Sequence, residues 1–191
     1  MKPASLAVAI MAGLAAASAG YFALLAPRPA TKATGNTSIE RPVWEEVKWP
    51  FAIDQWGTGR AFVCEALDCG TEVKLYVRAK LGSCNCSTGV ADDADLDRMS
   101  DFDLIGDEVS PLGAGRPISV AWMKGRSRAY ALSARNPLGK SAISVVFNDR
   151  CDMIVGTVLL PHDRPASIEN GVLQFLNSRP VLDWAEIALG I

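Results

Sequence analysis

Three features of the chain predict an α+β fold: an antiparallel sheet of hairpins with an inserted acidic helix and two C-terminal helices, braced by disulfides. Short apolar runs recur with turn residues between them, which is the signature of hairpins. A helical period appears only in an acidic middle stretch and at the C-terminus. Five cysteines, Cys64, Cys69, Cys84, Cys86 and Cys151, lie downstream of a charge-free apolar N-terminus. An export segment implies an oxidising compartment, where neighbouring thiols become disulfides.

The N-terminus begins Met1-Lys2 and continues through residues 4–26 without a charge. Ala17-Ser18-Ala19 fits a small-x-small cleavage pattern that would leave Gly20 as the first residue. As one helix the run would reach about 34 Å at ~1.5 Å per residue, enough to cross a hydrocarbon core of ~30 Å. Residues 1–26 therefore read as a signal peptide or as an N-terminal membrane anchor. Lys2 on one side and Arg28 and Lys32 on the other leave its orientation undecided. Both readings send the rest of the chain out of the cytoplasm, to the periplasm or to the outward face of the inner membrane.

Residues 27–48 are rich in Pro, Thr, Ala, Gly and Asn and read as a flexible linker. Residues 49–191, roughly 140 in all, suit a single α+β domain with one core. Removal of residues 1–19 takes away Lys2 alone among the charges. It leaves 18 basic against 21 acidic residues, a net charge of −3. Phosphate binding relies on a basic excess, so no nucleic-acid partner is expected.

Within the domain, residues 60–64 read as extended, and Asp68-Cys69-Gly70-Thr71 as a turn. Residues 73–80 alternate apolar and polar. Period two places Val73, Leu75, Val77 and Ala79 on the core face and Lys74, Tyr76, Arg78 and Lys80 on a wet face. Residues 92–102 read as a helix whose first-turn carboxylates suit the positive end of its dipole. Residues 118–123 and 128–132 bracket a predicted turn, Lys124-Gly125-Arg126-Ser127. Residues 143–147 and 153–160 bracket another, Asn148-Asp149-Arg150. Ile168, Val172, Phe175 and Leu176 recur at helical spacing after Pro165, and a break at Ser178-Arg179-Pro180 leads to a second short helix ending near Gly190. Helices covering both sides would explain why residues 153–160 are nearly all apolar.

The cysteines carry the strongest candidate site. Zinc sites repeat Cys-x(2–4)-Cys, which Cys84-Asn85-Cys86 breaks. Two bridges are expected among Cys64, Cys69, Cys84 and Cys86, with Cys151 as the odd thiol. Alternatively, Cys151 pairs with one of the four and frees another. A direct Cys84–Cys86 bond would close a strained ring that is easily reduced. Cys84 and Cys86 thus carry a rival reading, a thiol redox or soft-metal module, although Asp92 and Asp93 nearby would raise a thiol pKa.

The acidic stretch from Asp92 to Asp107 fails as a calcium loop, because counting from Asp93 puts Arg98 at position 6 and Leu104 at position 12. His162 is the single histidine, and no Gly-x-Ser-x-Gly elbow or phosphate-binding glycine loop accompanies it. Lys74, Tyr76, Arg78, Lys124, Arg126 and Arg128 form a candidate basic face if their strands share one sheet. Such a face would dock an envelope protein or an anionic surface.

The combination of Cys64 and Cys69, Leu75-Tyr76-Val77-Arg78, Cys84-Asn85-Cys86 and residues 121–128 resembles small exported bacterial proteins without an assigned activity. That resemblance implies an envelope location and no chemistry. Trp49-Pro50-Phe51-Ala52-Ile53 is similar to the opening of PsbP-like α/β sandwiches, which would agree with the α+β class. The sequence thus leans away from an enzyme. It points to an exported, disulfide-stabilised accessory or binding protein of unknown ligand, with no cofactor and no metal outside the Cys84 and Cys86 alternative.

Overall fold

A computed structural model describes residues 43–106, 108–133, 137, 139–161 and 165–191, with the side chains of 165–167 left aside. The chain divides into two units, Met1–Ile39 and Glu40–Ile191, and every described residue belongs to the second. Residues 1–26 and His162 lie outside the described residues, as does the linker up to residue 42. Among the described residues, no helix is long and apolar enough to cross a membrane.

The described fold is α+β and mostly antiparallel sheet. Its strands are β1 (Trp44–Val47), β2 (Arg60–Cys64), β3 (Val73–Lys80), β4 (Val109–Pro111), β5 (Arg116–Val120), β6 (Met123–Leu132), β7 (Ser141–Asp149) and β8 (Asp152–Leu160). They lie in the order β1-β2-β3-β8-β7-β6, with every pair antiparallel. β4 pairs with residues 130–132 of β6 and β5 with residues 123–127, so these two strands follow one another along a single edge. The helices are α1 (Ala66–Cys69), α2 (Asp93–Met99), α3 (Pro165–Leu176) and α4 (Arg179–Leu189), with a 3-10 turn at Phe102–Ile105.

Each face of the sheet is covered. On the first, Leu75, Val77, Ile143, Val145, Phe147, Ile154 and Val158 pack under Val172 and Leu176 of α3 and Val181, Ala185 and Leu189 of α4. Trp44 stacks on Phe175 at 4.6 Å, and Phe62 meets the same ring edge-on at 4.9 Å. On the second face, Val146, Met153 and Val155 lie under Leu96 and Met99 of α2. Tyr76, Leu132, Ala142 and Leu159 lie there with Ile105, and with Trp49 and Phe51 from the segment before β2. This two-sided burial is why β7 and β8 are apolar in both phases of their alternation.

Five expectations change. The predicted wet face of β3 is the second core face, and Tyr76, Arg78 and Lys80 are buried in it. The alternation marked two faces correctly, yet ion pairing lets basic residues line the inner one. The turn predicted at Lys124–Ser127 is strand: β5 and β6 join at Ala121-Trp122, with Val120 opposite Met123. Likewise Arg150-Cys151 joins β7 and β8, with Asp149 opposite Asp152. The acidic helix is shorter than predicted. Asp92 caps it by accepting from the Asp95 amide at 2.9 Å, and the helix stops where the Ser100 hydroxyl donates back to the Leu96 carbonyl at 2.7 Å. Finally, residues 44–47, read as linker, form β1, because Trp44 finds an aromatic partner on α3.

Candidate functional site

Cross-strand register brings the six predicted basic-face residues onto one face, though not beside each other. Arg78 of β3 and Arg126 of β6 occupy one rung with Val155 and Val146 between them; Tyr76 and Arg128 share another, separated by Thr157 and Ser144. The acidic stretch lies on this face and neutralises it. Asp101 receives Arg78 in a two-pronged pair, Nε at 2.5 Å and Nη2 at 2.9 Å, and also meets Lys80. Arg78 Nη1 reaches Asp54 at 2.6 Å. Arg126 donates to Asp93 at 2.5 Å, and Arg128 donates to Asp97 at 3.0 Å. Tyr130 donates to Asp97 as well.

The consequences for charge are clear. The Arg78 guanidinium holds the Asp54 carboxyl below its ordinary range. The Gly115 amide and then Arg126 do the same for Asp93. Burial raises the phenols of Tyr76 and Tyr130, and Asp97 adds to the effect at Tyr130. Lys74 remains half-exposed beside Glu72 at 2.9 Å, and Lys124 is exposed. What the sequence presents as a docking face is mostly an internal ion-pair layer between the sheet and its acidic cover.

The cysteines divide differently from the first expectation. Cys64 bonds Cys69 across the single turn of α1, and Cys86 bonds Cys151, 65 residues away. Cys84, not Cys151, is the free thiol. The reason is topological: the turn between β7 and β8 sits beside the loop after β3, because β3 and β8 are paired neighbours. The Cys84 amide donates to the Cys151 carbonyl at 3.2 Å, and its thiol donates to the Arg150 carbonyl at 3.2 Å. Burial, then the Asp152 charge, pushes the Cys84 thiol up. A soft metal held by Cys84 and Cys86 together would require breaking the Cys86–Cys151 bond. Among the described residues, no group of three His, Cys, Asp or Glu side chains is placed to hold a metal.

At the same end of the sheet lies a shallow groove of about 440 Å³, lined by Trp122, Asp149, Arg150, Glu186 and Ile191. Trp122 is 48% exposed, and the Arg150 side chain is 83% exposed with its nearest carboxylate, Asp149, at 3.9 Å. Two turns form this end, and each places a non-glycine residue in the left-handed region: Ala121 at φ 49° and Arg150 at φ 52°. Such residues cost of order 1 kcal/mol each and concentrate at functional positions. Sequence reasoning passed over Trp122 and Arg150 as a strand residue and a turn residue. Their shared location follows only from the pairing of β5 through β8.

A second polar feature lies under α3. Ser127 donates to Glu169, which also receives Arg116 Nε at 2.9 Å, beside a cavity of about 190 Å³. Glu169 is thus already engaged by a hydroxyl and a guanidinium. The chain matches no protein-family model, no curated protein and no solved structure.

Proposed function

We propose that this chain is an exported, disulfide-braced accessory protein that binds a partner protein of the cell envelope. The observation that carries the reading is the groove of Trp122, Asp149, Arg150, Glu186 and Ile191, where a half-exposed indole and an almost free guanidinium sit on two strained turns. Aromatic and arginine side chains dominate the energy of protein contacts. The mixed signs around the indole suit a peptide segment carrying an apolar side chain next to a carboxylate. They suit an anionic surface less, since Asp149 and Glu186 would repel it. Export is supported by two disulfides, which persist in oxidising compartments, and by the apolar leader read from residues 1–26.

The test is photo-crosslinking in the native envelope, with the reactive group placed at position 122 and, as control, at Leu67, which is 99% exposed on the short helix α1. A discrete adduct to one envelope protein from position 122, abolished by Arg150→Ala, is the expected result. Equal or absent adducts from both positions would discard the groove as a docking site. Cytosolic retention of the full chain, with all five thiols alkylatable in living cells, would discard export.

A further inference from the structure

We infer that Cys84, Cys86 and Cys151 form a thiol–disulfide exchange site in which the free thiol moves between a buried and an exposed position. Cys151 is in contact with both of the others. Its Cα is 4.1 Å from that of Cys86, its present partner. Its carbonyl receives the Cys84 amide at 3.2 Å. Covalent geometry on either side of one such N–H···O bond leaves the two Cα atoms roughly 5–6.5 Å apart, within the ~4.4–6.8 Å that a disulfide spans. Cys84 is buried among Val146, Met153 and Val155, whereas Cys86 is exposed.

The step needs no outside oxidant or reductant. The Cys84 thiolate attacks Sγ of Cys151, a Cys84–Cys151 bond forms, and the Cys86–Cys151 bond breaks. The electron pair leaves on Cys86, which takes up the proton that Cys84 lost. One disulfide and one thiol exist before and after. The difference is place: the thiol is hidden in the first state and open to solvent in the second. From there it attacks a small or protein disulfide, forming a mixed disulfide as the other half leaves as thiolate. Burial favours the protonated form of Cys84 and so slows the exchange, because a protonated thiol is a poor nucleophile. The site stands whether or not the groove binds a protein, although Cys151 directly follows groove residue Arg150.

The experiment uses the oxidised, folded protein with oxidised glutathione as probe and peptide mapping by mass spectrometry. The expected product carries one glutathione on Cys86 together with a Cys84–Cys151 bond. Its rate of formation should rise about tenfold per pH unit between pH 7 and 9, following the thiolate fraction. Cys84→Ser should form none while keeping both native bridges. Glutathione on Cys84, or no adduct on the folded wild type, overturns the inference. A second variant guards against a folding artefact: oxidised Cys86→Ser should contain a Cys84–Cys151 bond, and finding both thiols free overturns the inference equally.

Discussion

Asp101 shows how one carboxylate can decide the state of two cations. It is 3% exposed, and Arg78, also 3% exposed, and Lys80 both point at it from β3. Removing one member of a buried pair leaves an uncompensated charge, typically a loss of about 3–5 kcal/mol. Asp101→Asn should therefore lower unfolding stability by that order in urea, while Asp95→Asn, whose ion pair to Arg98 is at the surface, should change it by less than about 1 kcal/mol. Equal effects would mean that the inner pair contributes no more than a surface one. The pH profile follows from the paired carboxylates and the buried phenols and thiol. Glu46, Asp54 and Asp93 have lowered pKa values, so the stability they contribute is present above ~4 and is lost as pH falls through their folded values. Cys84, Tyr76 and Tyr130 are raised, so stability declines as pH rises past ~8.5 and further past ~10. Urea midpoints that stay flat from pH 3 to 10 would contradict both arms.

At the level of elements, β6 and its two turns decide what the site can be. Gly125 has no room for a side chain, because a Cβ there would stand 2.0 Å from the Val146 carbonyl oxygen. Gly125→Ala should push β6 from β7 and cost about 3 kcal/mol, whereas Gly82→Ala, with nothing near the added carbon, should show only the cost of a left-handed backbone, roughly 1 kcal/mol. Similar losses at the two positions would show that β6 and β7 have slack. The sequence made the alternation of β3 and the apolar character of β8 plain, because period and composition are local properties. It also marked Lys124, Arg126 and Arg128 as a group. It placed them in a turn because Lys-Gly-Arg-Ser carries glycine and polar residues, whereas the real turn uses Ala121 and Trp122, residues with no turn preference. The acidic cover was readable as a helix, but its target was not, since nothing local says that Asp93, Asp97 and Asp101 will meet arginines on strands before and after them. The strained turns offer their own test. Arg150→Gly relieves a left-handed non-glycine residue and should raise stability by about 0.5–1 kcal/mol while weakening envelope crosslinking from position 122. A stabilised variant that crosslinks as before would show that neither the strain nor the Arg150 side chain contributes to docking.

For the whole molecule, the two bridges differ in what they constrain. The Cys64–Cys69 bridge spans 5 residues, and the Cys86–Cys151 bridge spans 65, tying the loop after β3 to the turn before β8. Chain entropy assigns about 2 kcal/mol to the short loop and about 4 kcal/mol to the long one. Urea unfolding without reductant should thus rank Cys64→Ser as mildly destabilised and Cys151→Ser as strongly so. Cys86→Ser separates topology from identity. If Cys84 can take over the bond to Cys151, the replacement closes a loop of almost the same length, and most of the 4 kcal/mol survives. A Cys86→Ser protein as unstable as Cys151→Ser would show that Cys84 cannot reach Cys151 and that the long bridge has one geometry. A protein close to wild type would show that the fold specifies Cys151 as the fixed end of the crosslink and leaves its other end to two cysteines one residue apart. That distinction matters for the sheet as a whole, because β3 and β8 are its central pair and this corner is where their ends are fastened.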